Sequence, residues 1–360
     1  MLRRLSAILF LLSFTMWARP ALPQTSVDIG FYYDELAPYG EWISTPEYGW
    51  IWSPYDMEAG WRPYTDGYWT YTDYGWTWVS NLEWGWAPFH YGRWKFDDMF
   101  GWVWIPGTVW GPAWVAWRQG DGYIGWAPLP PGVVWNAGVG LNWGDLDFNL
   151  VLGWNDWNFC NDRYFLDHHL RKHLLGPAHN LTFMQRTRNI TDYQFMHDHV
   201  FNRGLSIERA EQITRHKIRQ YTVQNFPETE RRHVGRVEGQ ALRMFRPMIA
   251  ERHVERTPPP PRAGREFNYQ ARQKRLLAYQ KSQREELRRS QQEQMKKSEP
   301  GPSREEMQRR QERETTQLRD HQQREATVLE NRAQRAQRQA PPPREPQRAE
   351  QRQGRGRGRH

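Results

Sequence analysis

A short tryptophan-rich pattern occurs three times between Gly40 and Trp104, and this repeat constrains the fold more than any other feature. Each copy has a Gly-x-Trp segment, a turn, and a Gly-Trp-x-Trp segment. The glycines that open the second segment, Gly49, Gly75 and Gly101, lie 26 residues apart. A fixed period in this range is typical of repeat architectures in which neighbouring units bury one another's faces. The chain is therefore predicted to build a core from repeated units.

The two segments of each copy flank a turn that is rich in Asp, Pro and Gly, the residues that favour hairpin turns. The sequence predicts three tandem antiparallel hairpins in which Trp42, Trp69 and Trp94 pair across the hairpin with a Trp of the second segment. The two Trp of each Gly-Trp-x-Trp are two residues apart and point to the same face of a strand. A curved sheet or partial barrel with a wall of indoles is expected, and the sequence leaves an open meander and a barrel as alternatives.

A second element, Gly-Trp-x-Pro followed by an aromatic residue, lies between the hairpins. It occurs at Gly60–Tyr64 and Gly85–Phe89, and a related Gly125–Leu129 closes the series. Proline cannot donate to a central ladder, so these elements are predicted to be corners or edge segments. Binding residues concentrate in loops. The candidate binding residues are therefore the aromatic side chains of these elements, Trp61, Tyr64, Trp86, Phe89 and Trp126.

The two motifs together resemble those of secreted bacterial proteins with tandem Trp-rich (Y-x-W-G-x-W-like) repeats, a domain family of unknown function. The resemblance is strongest over the Gly-Trp-x-Trp and Gly-Trp-x-Pro copies and weaker after them. It implies no activity, substrate or cofactor.

The N-terminus has the pattern of an export signal. Met1–Arg4 is basic and is followed by the apolar run Leu5–Trp17, which is too short to span a bilayer. We interpret residues 1–24 as a signal peptide, with an uncleaved anchor as the alternative, and expect the protein in the periplasm, on the outer surface or outside the cell. No later apolar run is long enough to span, so a polytopic membrane protein is not expected.

Composition divides the rest of the chain, whose mean hydropathy is −0.95. The predicted fold is mainly β, with a small α+β region and a long helical or disordered basic tail after the hairpins. The predicted segments are a Trp-rich β-repeat domain (25–135), a small α+β region (136–256), a Pro-rich linker (257–264), a charged Gln/Arg/Glu-rich helical or disordered segment (265–340) and a disordered Arg/Gly-rich end (341–360).

Local patterns after residue 135 predict several elements. Strands are expected at Leu181–Met184, Ile190–Met196, His199–Phe201, Ile218–Phe226 and Ala241–Phe245, and Ser206 is a predicted N-cap of a helix. Helix propensity is high over Arg265–Lys297 and Arg304–Arg338, but the few apolar residues there do not keep a heptad. Solvated, partly helical rods are expected.

Charge is distributed unevenly. Residues 25–150 have a net charge of −11 and residues 257–360 of +12. This asymmetry indicates either a partner for the basic half or contact between the two halves. Behind an export signal, an anionic polymer or lipid head groups are expected counter-ions, rather than a specific nucleic acid.

Motifs for catalysis and cofactors are weak. His169 and His173, near Asp167, have usable metal-ligand spacing, but the pattern is loose and surface histidines are expected. The acidic residues of the repeats lie mostly in turns, and the preference of Asp for turns explains them without a catalytic role. Neither a nucleophile motif nor a phosphate-binding loop is present, and Cys160, the single cysteine, has apolar neighbours that predict burial. No enzyme activity, metal or cofactor is expected.

These observations favour an exported, non-catalytic envelope or extracellular protein. Its Trp-rich domain would bind a glycan or an envelope protein, and its basic tail would dock on an anionic surface. The alternative is a structural, self-assembling envelope protein, and the third hypothesis is a cell-wall hydrolase. The indoles themselves have two interpretations, a binding platform or the core of a sheet with few aliphatic residues.

Overall fold

The computed structural model describes residues 26–136, 140–142, 152–196, 199–226, 235–250, 256–260, 268–297 and 302–339. The predicted signal peptide, residues 261–264 of the predicted linker and the predicted Arg/Gly-rich end lie outside these residues.

The described chain is mostly strand in its first 250 residues and helix after them. The strands are β1 (Ser26–Asp28), β2 (Gly40–Thr45), β3 (Gly49–Pro54), β4 (Gly67–Thr72), β5 (Gly75–Ser80), β6 (Arg93–Asp97), β7 (Gly101–Ile105), β8 (Val115–Gly120), β9 (Tyr123–Pro128), β10 (Val134–Asn136), β11 (Gly140–Asn142), β12 (Asn158–Asn161), β13 (Arg188–Asn189), β14 (Tyr193–Met196), β15 (His199–Asn202), β16 (Gln220–Asn225), β17 (Arg236–Glu238), β18 (Ala241–Met244) and β19 (Met248–Ala250). The helices are α1 (Gly30–Leu36), α2 (Asn180–Arg186), α3 (Ile207–Thr214), α4 (Tyr269–Lys297) and α5 (Pro302–Gln339), with short 3₁₀ segments at Trp154–Asp156, Asp162–Tyr164, Leu170–His173 and Pro177–His179.

The three predicted hairpins are confirmed as β2–β3, β4–β5 and β6–β7. Their first-segment tryptophans pair across the strands as predicted, Trp42 with Trp52, Trp69 with Trp78 and Trp94 with Trp104. The turn glycines Gly49, Gly75 and Gly101 have φ of 67°, 78° and 75°. This left-handed conformation is accessible to glycine without strain, which explains why each second segment begins with Gly.

A fourth hairpin, β8–β9, corrects the interpretation of the third Gly-Trp-x-Pro element. Trp126 lies in β9 and pairs with Trp117 of β8, so it is not part of a corner or an edge. Pro128 is tolerated because it ends the strand, opposite Val115. The first two elements, Gly60–Tyr64 and Gly85–Phe89, do lie outside strands as predicted.

The hairpins are distributed over different sheets of the described structure. One sheet has the order β2-β3-β7-β6, a second β14-β15-β5-β4-β16-β18-β17, and a third β12-β9-β8-β13. The pairs β1–β19 and β10–β11 form two further small sheets. This distribution does not confirm the prediction of one curved sheet or partial barrel.

Residues 152–250 complete the sheets that the hairpins begin. Strand β15 pairs with β5 and strand β16 with β4, both in parallel. The predicted strands at 199–201, 218–226 and 241–245 are present as β15, β16 and β18, and β14 covers the second half of Ile190–Met196. Ser206 caps α3 by accepting a hydrogen bond from the Arg209 N–H. The predicted division near residue 135 remains one of composition, because the sheets cross it.

The predicted strand at Leu181–Met184 is wrong, because these residues belong to α2. Asn180 and Phe183, three residues apart, both face inward. The Asn180 side chain donates to the carbonyls of Trp154 and Trp157. These tertiary contacts favour helix over the strand that the short apolar run suggested.

The core is aromatic, and its buried indole N–H groups divide into those with a carbonyl acceptor and those, such as Trp69, Trp78 and Trp157, with no acceptor among the described residues. Ten of the twelve largest fully buried side chains are tryptophans. Six indole N–H groups donate to main-chain carbonyls, those of Trp52 to Leu36, Trp76 to Leu205, Trp94 to Pro88, Trp104 to Tyr91, Trp114 to His90 and Trp126 to Tyr64. Cys160 is fully buried, which confirms its predicted position. The hairpin indoles are therefore core residues, except for the partly buried Trp50, and not an exposed platform.

Helices α4 and α5 form an antiparallel hairpin, referred to here as the helical hairpin, and correct the prediction of solvated rods. Gln280 and Gln322 exchange hydrogen bonds, each side-chain amide donating to the other residue's carbonyl. Leu276, Leu287 and Leu318 are buried. The helices are confirmed where they were predicted, but glutamine pairs and scattered aliphatic residues hold them together instead of a heptad.

The buried His90 predicts a pH dependence of stability. His90 is 1% exposed, and burial lowers its pKa to about 4. Because the unfolded chain binds a proton at about pH 6.5, the contribution of His90 to the free energy of unfolding is complete above that pH. It is lost, by about 3 kcal/mol, as the pH falls from 6.5 to 4. Urea unfolding across this range measures the loss.

His169→Gln serves as the control for His90→Gln, because His169 is exposed. The His90 variant is expected to flatten the pH profile between pH 4 and 6.5, and the control to leave it unchanged. An equal dependence of the free energy of unfolding on pH in the two variants would contradict the lowered pKa of His90.

Candidate binding site beneath the C-terminal helical hairpin

A cleft of about 130 Å³ lies between the Trp-rich sheets and the helical hairpin. Its floor comes from the loop after β3 and from β6 and β7, and its roof from α4 and α5. The apolar lining includes Met57, Trp61, Phe96, Trp102 and Leu276. The charged lining consists of Glu58, Arg62, Arg272, Arg275, Glu325, Arg332 and, when protonated, His321. Aromatic surface and concentrated charge thus meet in one concave site.

Trp61 and Arg62 bring the loop after β3 into the cleft. The Trp61 ring is half-buried and packs edge-on against Trp84 and Trp94, with ring centroids 6.1 and 5.8 Å away. Within the described structure, its buried indole N–H has no hydrogen-bond acceptor. Arg62 is 5% exposed and donates from Nε to Asn158 Oδ1 at 2.7 Å. Burial lowers the pKa of Arg62, and the nearby Tyr279 of α4 and Glu325 of α5 oppose this effect.

Two arginines of the helical hairpin fix it to the sheet side of the cleft. Arg332 Nη2 donates to Ser53 Oγ at 2.7 Å and to the Phe100 carbonyl at 2.8 Å. Arg272 forms an ion pair with Asp56. Burial and the neighbouring Arg335 lower the pKa of Arg332 to about 10. Burial, followed by Arg275, also lowers the pKa of Arg272.

The carboxylates of the cleft are already partnered. Glu325 lies 3.3 Å from His321 Nε2 and accepts a hydrogen bond from Gln280 at 3.1 Å. Glu58 forms an ion pair with Arg171. Arg275, by contrast, is exposed and forms no ion pair with any described residue. Because both carboxylates are paired and Arg275 is not, the cleft has an excess of positive charge. The site therefore favours an anionic group.

The helical hairpin also carries a basic face on the side of α4 away from the sheets. This basic face consists of Lys274, Lys281, Arg288, Arg289 and Lys296, all exposed. At 3.6 residues per turn they lie within an arc of about 100° and over about 33 Å, an arc that includes the single carboxylate Glu285. The residues of α4 that are buried lie on the opposite side, Leu276, Gln280, Gln283 and Leu287.

The structure separates the five predicted binding residues. Trp61 and Trp86 are half-buried, and Trp61 alone lines the cleft. Trp86 packs against Phe245 and Phe31, with ring centroids 5.0 and 5.8 Å away. Tyr64, Phe89 and Trp126 are fully buried, so these three side chains offer no exposed surface to a ligand. The binding role of the five stays a prediction, and Trp61 is the one with a charged cleft beside it.

Tyr64 shows why these loops turn inward. Its φ is 61°, which directs the chain into the core, and its carbonyl accepts the indole N–H of Trp126 at 2.9 Å. Its hydroxyl donates to the Phe89 carbonyl at 3.0 Å and accepts the Trp114 N–H at 3.1 Å. The aromatic residue of the Gly-Trp-x-Pro element is thus a structural bridge between loops and β8.

Sequence reasoning missed the arginines of the cleft. Arg62 occupies the variable position of its Gly-Trp-x-Pro element, where the other two copies have Ala87 and Ala127. That difference was the available signal for a functional position. Arg272 and Arg332 belong to a tail whose basic charge was noted, but nothing in the sequence indicates which of its arginines face the sheets.

The histidines and acids singled out by sequence are dispersed. His168 and His169 are exposed, and His173 lies 3.0 Å from Asp167, whose pKa is lowered first by the His169 backbone N–H. Across the residues that can be described, three or more His, Cys, Asp or Glu do not converge in any metal-binding group.

Comparison with known proteins gives one match. Residues 33–133 match the model of a family of unknown function, DUF6600. This segment contains all three Gly-Trp-x-Trp copies and supports the predicted resemblance to a domain family of unknown function. The finer resemblance to secreted Trp-rich repeat proteins stays a prediction. Neither the curated proteins nor the solved structures contain a match to the chain.

The helices were also compared with the requirements of a membrane span. None of those in the described ranges is both long and apolar enough to cross a bilayer.

Replacing Tyr64 with Phe tests the structural role of its hydroxyl. The change leaves the buried Phe89 carbonyl and Trp114 N–H without their partner, so the free energy of unfolding is expected to fall by about 1–3 kcal/mol. Tyr39→Phe is the matched control, because the Tyr39 hydroxyl bonds the Glu83 carboxylate at an exposed position. The control is expected to cost less than about 0.5 kcal/mol. Urea unfolding measures both, and equal losses would contradict the bridging role.

Replacing Arg332 with Ala tests how the helical hairpin is held. The change removes charge-assisted hydrogen bonds to Ser53 and Phe100, each worth about 1.5–3 kcal/mol. Hydrogen exchange of α5 amides is therefore expected to accelerate by at least tenfold, with little change in β4 and β5. Arg338→Ala, at an exposed position in the last turn of α5, is the control. Equal acceleration in the two variants would show that Arg332 does not fix the helical hairpin.

Proposed function

We propose that this is an exported, non-catalytic envelope protein that docks on an anionic surface through the basic face of α4. The Trp-rich sheets are the scaffold, and the helical hairpin is the part that meets the surface. The observation that carries the proposal is the position of the five basic side chains, on the side of α4 opposite its buried residues.

The electrostatics of α4 favour this role over a purely solubilising one. Helix α4 contains nine basic and three acidic residues, whereas α5 contains nine and seven. A solubilising surface needs no such difference between two neighbouring helices. Concentrated on one face, the charges act together, since each Lys or Arg near an anionic membrane contributes about 1 kcal/mol.

The chemistry of the face identifies the class of partner. The face has a single exposed apolar neighbour, Leu277, at its edge, which is too little apolar surface for insertion into a bilayer. It therefore suits contact with charged groups at a surface. Phosphate and carboxylate groups both fit, and they are carried by lipid head groups and by acidic polymers. Export places either one within reach of the protein. We also propose that the Trp-rich side binds a glycan, and that this binding is confined to the cleft, because the indoles elsewhere are mostly core.

The triple variant Lys274→Glu, Lys281→Glu and Arg288→Glu tests the docking. Vesicles containing phosphatidylglycerol and a soluble acidic polysaccharide are the two anionic probes, used with the chain lacking its predicted signal peptide. Binding of the preferred probe is expected to weaken at least about 100-fold, because three contributions of about 1 kcal/mol are lost and reversed. Co-sedimentation and titration measure the loss, and 0.5 M salt should reproduce it.

The control variant replaces Arg309, Arg313 and Arg319 of α5 with Glu. It makes the same change in net charge on exposed positions of the same helical hairpin. Docking through the basic face predicts a much smaller effect in the control. Equal weakening in both variants, or sedimentation without vesicles, would refute docking through this face and favour non-specific attraction or self-assembly.

A further inference from the structure

We propose that the cleft beneath the helical hairpin binds a six-membered sugar ring that carries a carboxylate, with the ring against Trp61 and the carboxylate at Arg275. This inference deepens the glycan-binding part of the proposed function and is independent of docking through the basic face.

The size of the cleft suits one ring. A cavity of 150 Å³ holds a benzene molecule in a protein interior. At about 130 Å³ and open to solvent, this cleft accommodates one six-membered ring whose substituents extend outward. A longer polymer would present a single residue to the site.

Trp61 offers a surface for the ring. Its indole is fixed by edge contacts to Trp84 and Trp94, and it borders the cleft in a half-buried position. A rigid aromatic face contributes contact area at low cost in conformational entropy. The indole N–H lacks an acceptor within the described part of the chain but is itself buried, so the ring contributes its aromatic surface rather than a hydrogen bond.

The arginines select for a carboxylate. Arg272 and Arg332 are engaged by Asp56, Ser53 and Phe100, but Arg275 has no ion-pair partner among the residues described. Three guanidinium groups border the cleft on the helical-hairpin side, and the two carboxylates of the lining are paired with other residues. An added carboxylate would relieve the repulsion between these like charges and form charge-assisted hydrogen bonds with the planar guanidinium of Arg275.

Polar groups near the ring complete the site. Asn155, Tyr279 and Glu58 line the same cleft. Together they offer hydrogen-bond donors and acceptors of the kinds that sugar hydroxyls use. Glu58 already pairs with Arg171 and Tyr279 already bonds Arg62, so a ligand hydroxyl would add to existing hydrogen bonds. A simple aromatic acid has no such hydroxyl, and inorganic phosphate would leave Trp61 uncovered. A carboxylated sugar both covers Trp61 and offers hydroxyls to these polar groups.

Galacturonate is the probe and galactose its neutral match, each titrated into the chain without its predicted signal peptide by calorimetry. Galacturonate is expected to bind at least tenfold more tightly than galactose. Benzoate and inorganic phosphate are the two further probes, and each is expected to bind more weakly than galacturonate.

Two neighbouring variants separate the cleft from the basic face. Arg275→Gln is expected to weaken galacturonate binding about tenfold, because one charge-assisted hydrogen-bonded pair is lost. Lys274→Gln, one residue away but outside the cleft, is expected to leave galacturonate binding within twofold and to weaken vesicle binding instead. Trp61→Phe keeps an aromatic ring but reduces its area, and is expected to weaken galacturonate binding severalfold.

Several results would overturn the inference. Equal affinity for galactose and galacturonate, equal effects of the Arg275 and Lys274 variants, or tighter binding of phosphate or benzoate would each do so, as would no binding of galacturonate at all. None of these results bears on docking through the basic face, so the two proposals fail separately.

Discussion

Much of the structure follows from one constraint, that an indole buried in a core favours an acceptor for its N–H. Seven of the ten fully buried tryptophans have an acceptor, whereas Trp69, Trp78 and Trp157 have none among the described residues. A core built from leucine or valine has no such requirement, but here the largest buried side chains are tryptophans. Leaving a buried donor unpaired costs about 1–3 kcal/mol. The loops between the hairpins turn inward and present the carbonyls of Tyr64, Pro88, His90 and Tyr91, and the end of α1 presents that of Leu36. The Gly-Trp-x-Pro elements recur because they supply both an aromatic side chain and a chain direction that places carbonyls inside the core.

The same constraint explains why the chain beyond residue 135 is needed. The N–H of Trp76 donates to the Leu205 carbonyl, and that of Trp117 donates to Asn202 Oδ1. Asn202 also pairs with Gly75 at the start of β5, so β15 is joined to the Trp-rich region by both main chain and side chain. The hairpins do not satisfy all their own donors, and the later segment supplies acceptors for two of them.

What the sequence predicted and what it missed follow from the range of the interactions. The hairpins and the three cross-strand Trp pairs depend on spacing and turn chemistry within about 15 residues, and these were predictable. The burial of Tyr64, Phe89 and Trp126 depends on bonds to residues 25 to 62 positions away, which no local pattern encodes. Helix α2 was missed for the same reason, since Asn180 is fixed by Trp154 and Trp157. The helices of the tail were predicted from propensity, but their packing uses pairs such as Gln280 and Gln322, which have no hydrophobic period.

Contacts between the helical hairpin and the sheets explain why charge is distributed unevenly along the chain. The structure shows that the acidic and basic halves touch, through Arg272 with Asp56, Arg324 with Asp98 and Arg335 with Glu41. The contacts toward the sheets use arginine, whose planar guanidinium bonds carbonyls and carboxylates together and tolerates burial. The basic face of α4 contains three lysines, whose ammonium groups favour strong hydration. One side of the helical hairpin is therefore built for specific contact with the protein's own sheets, and the other for diffuse attraction to external anions.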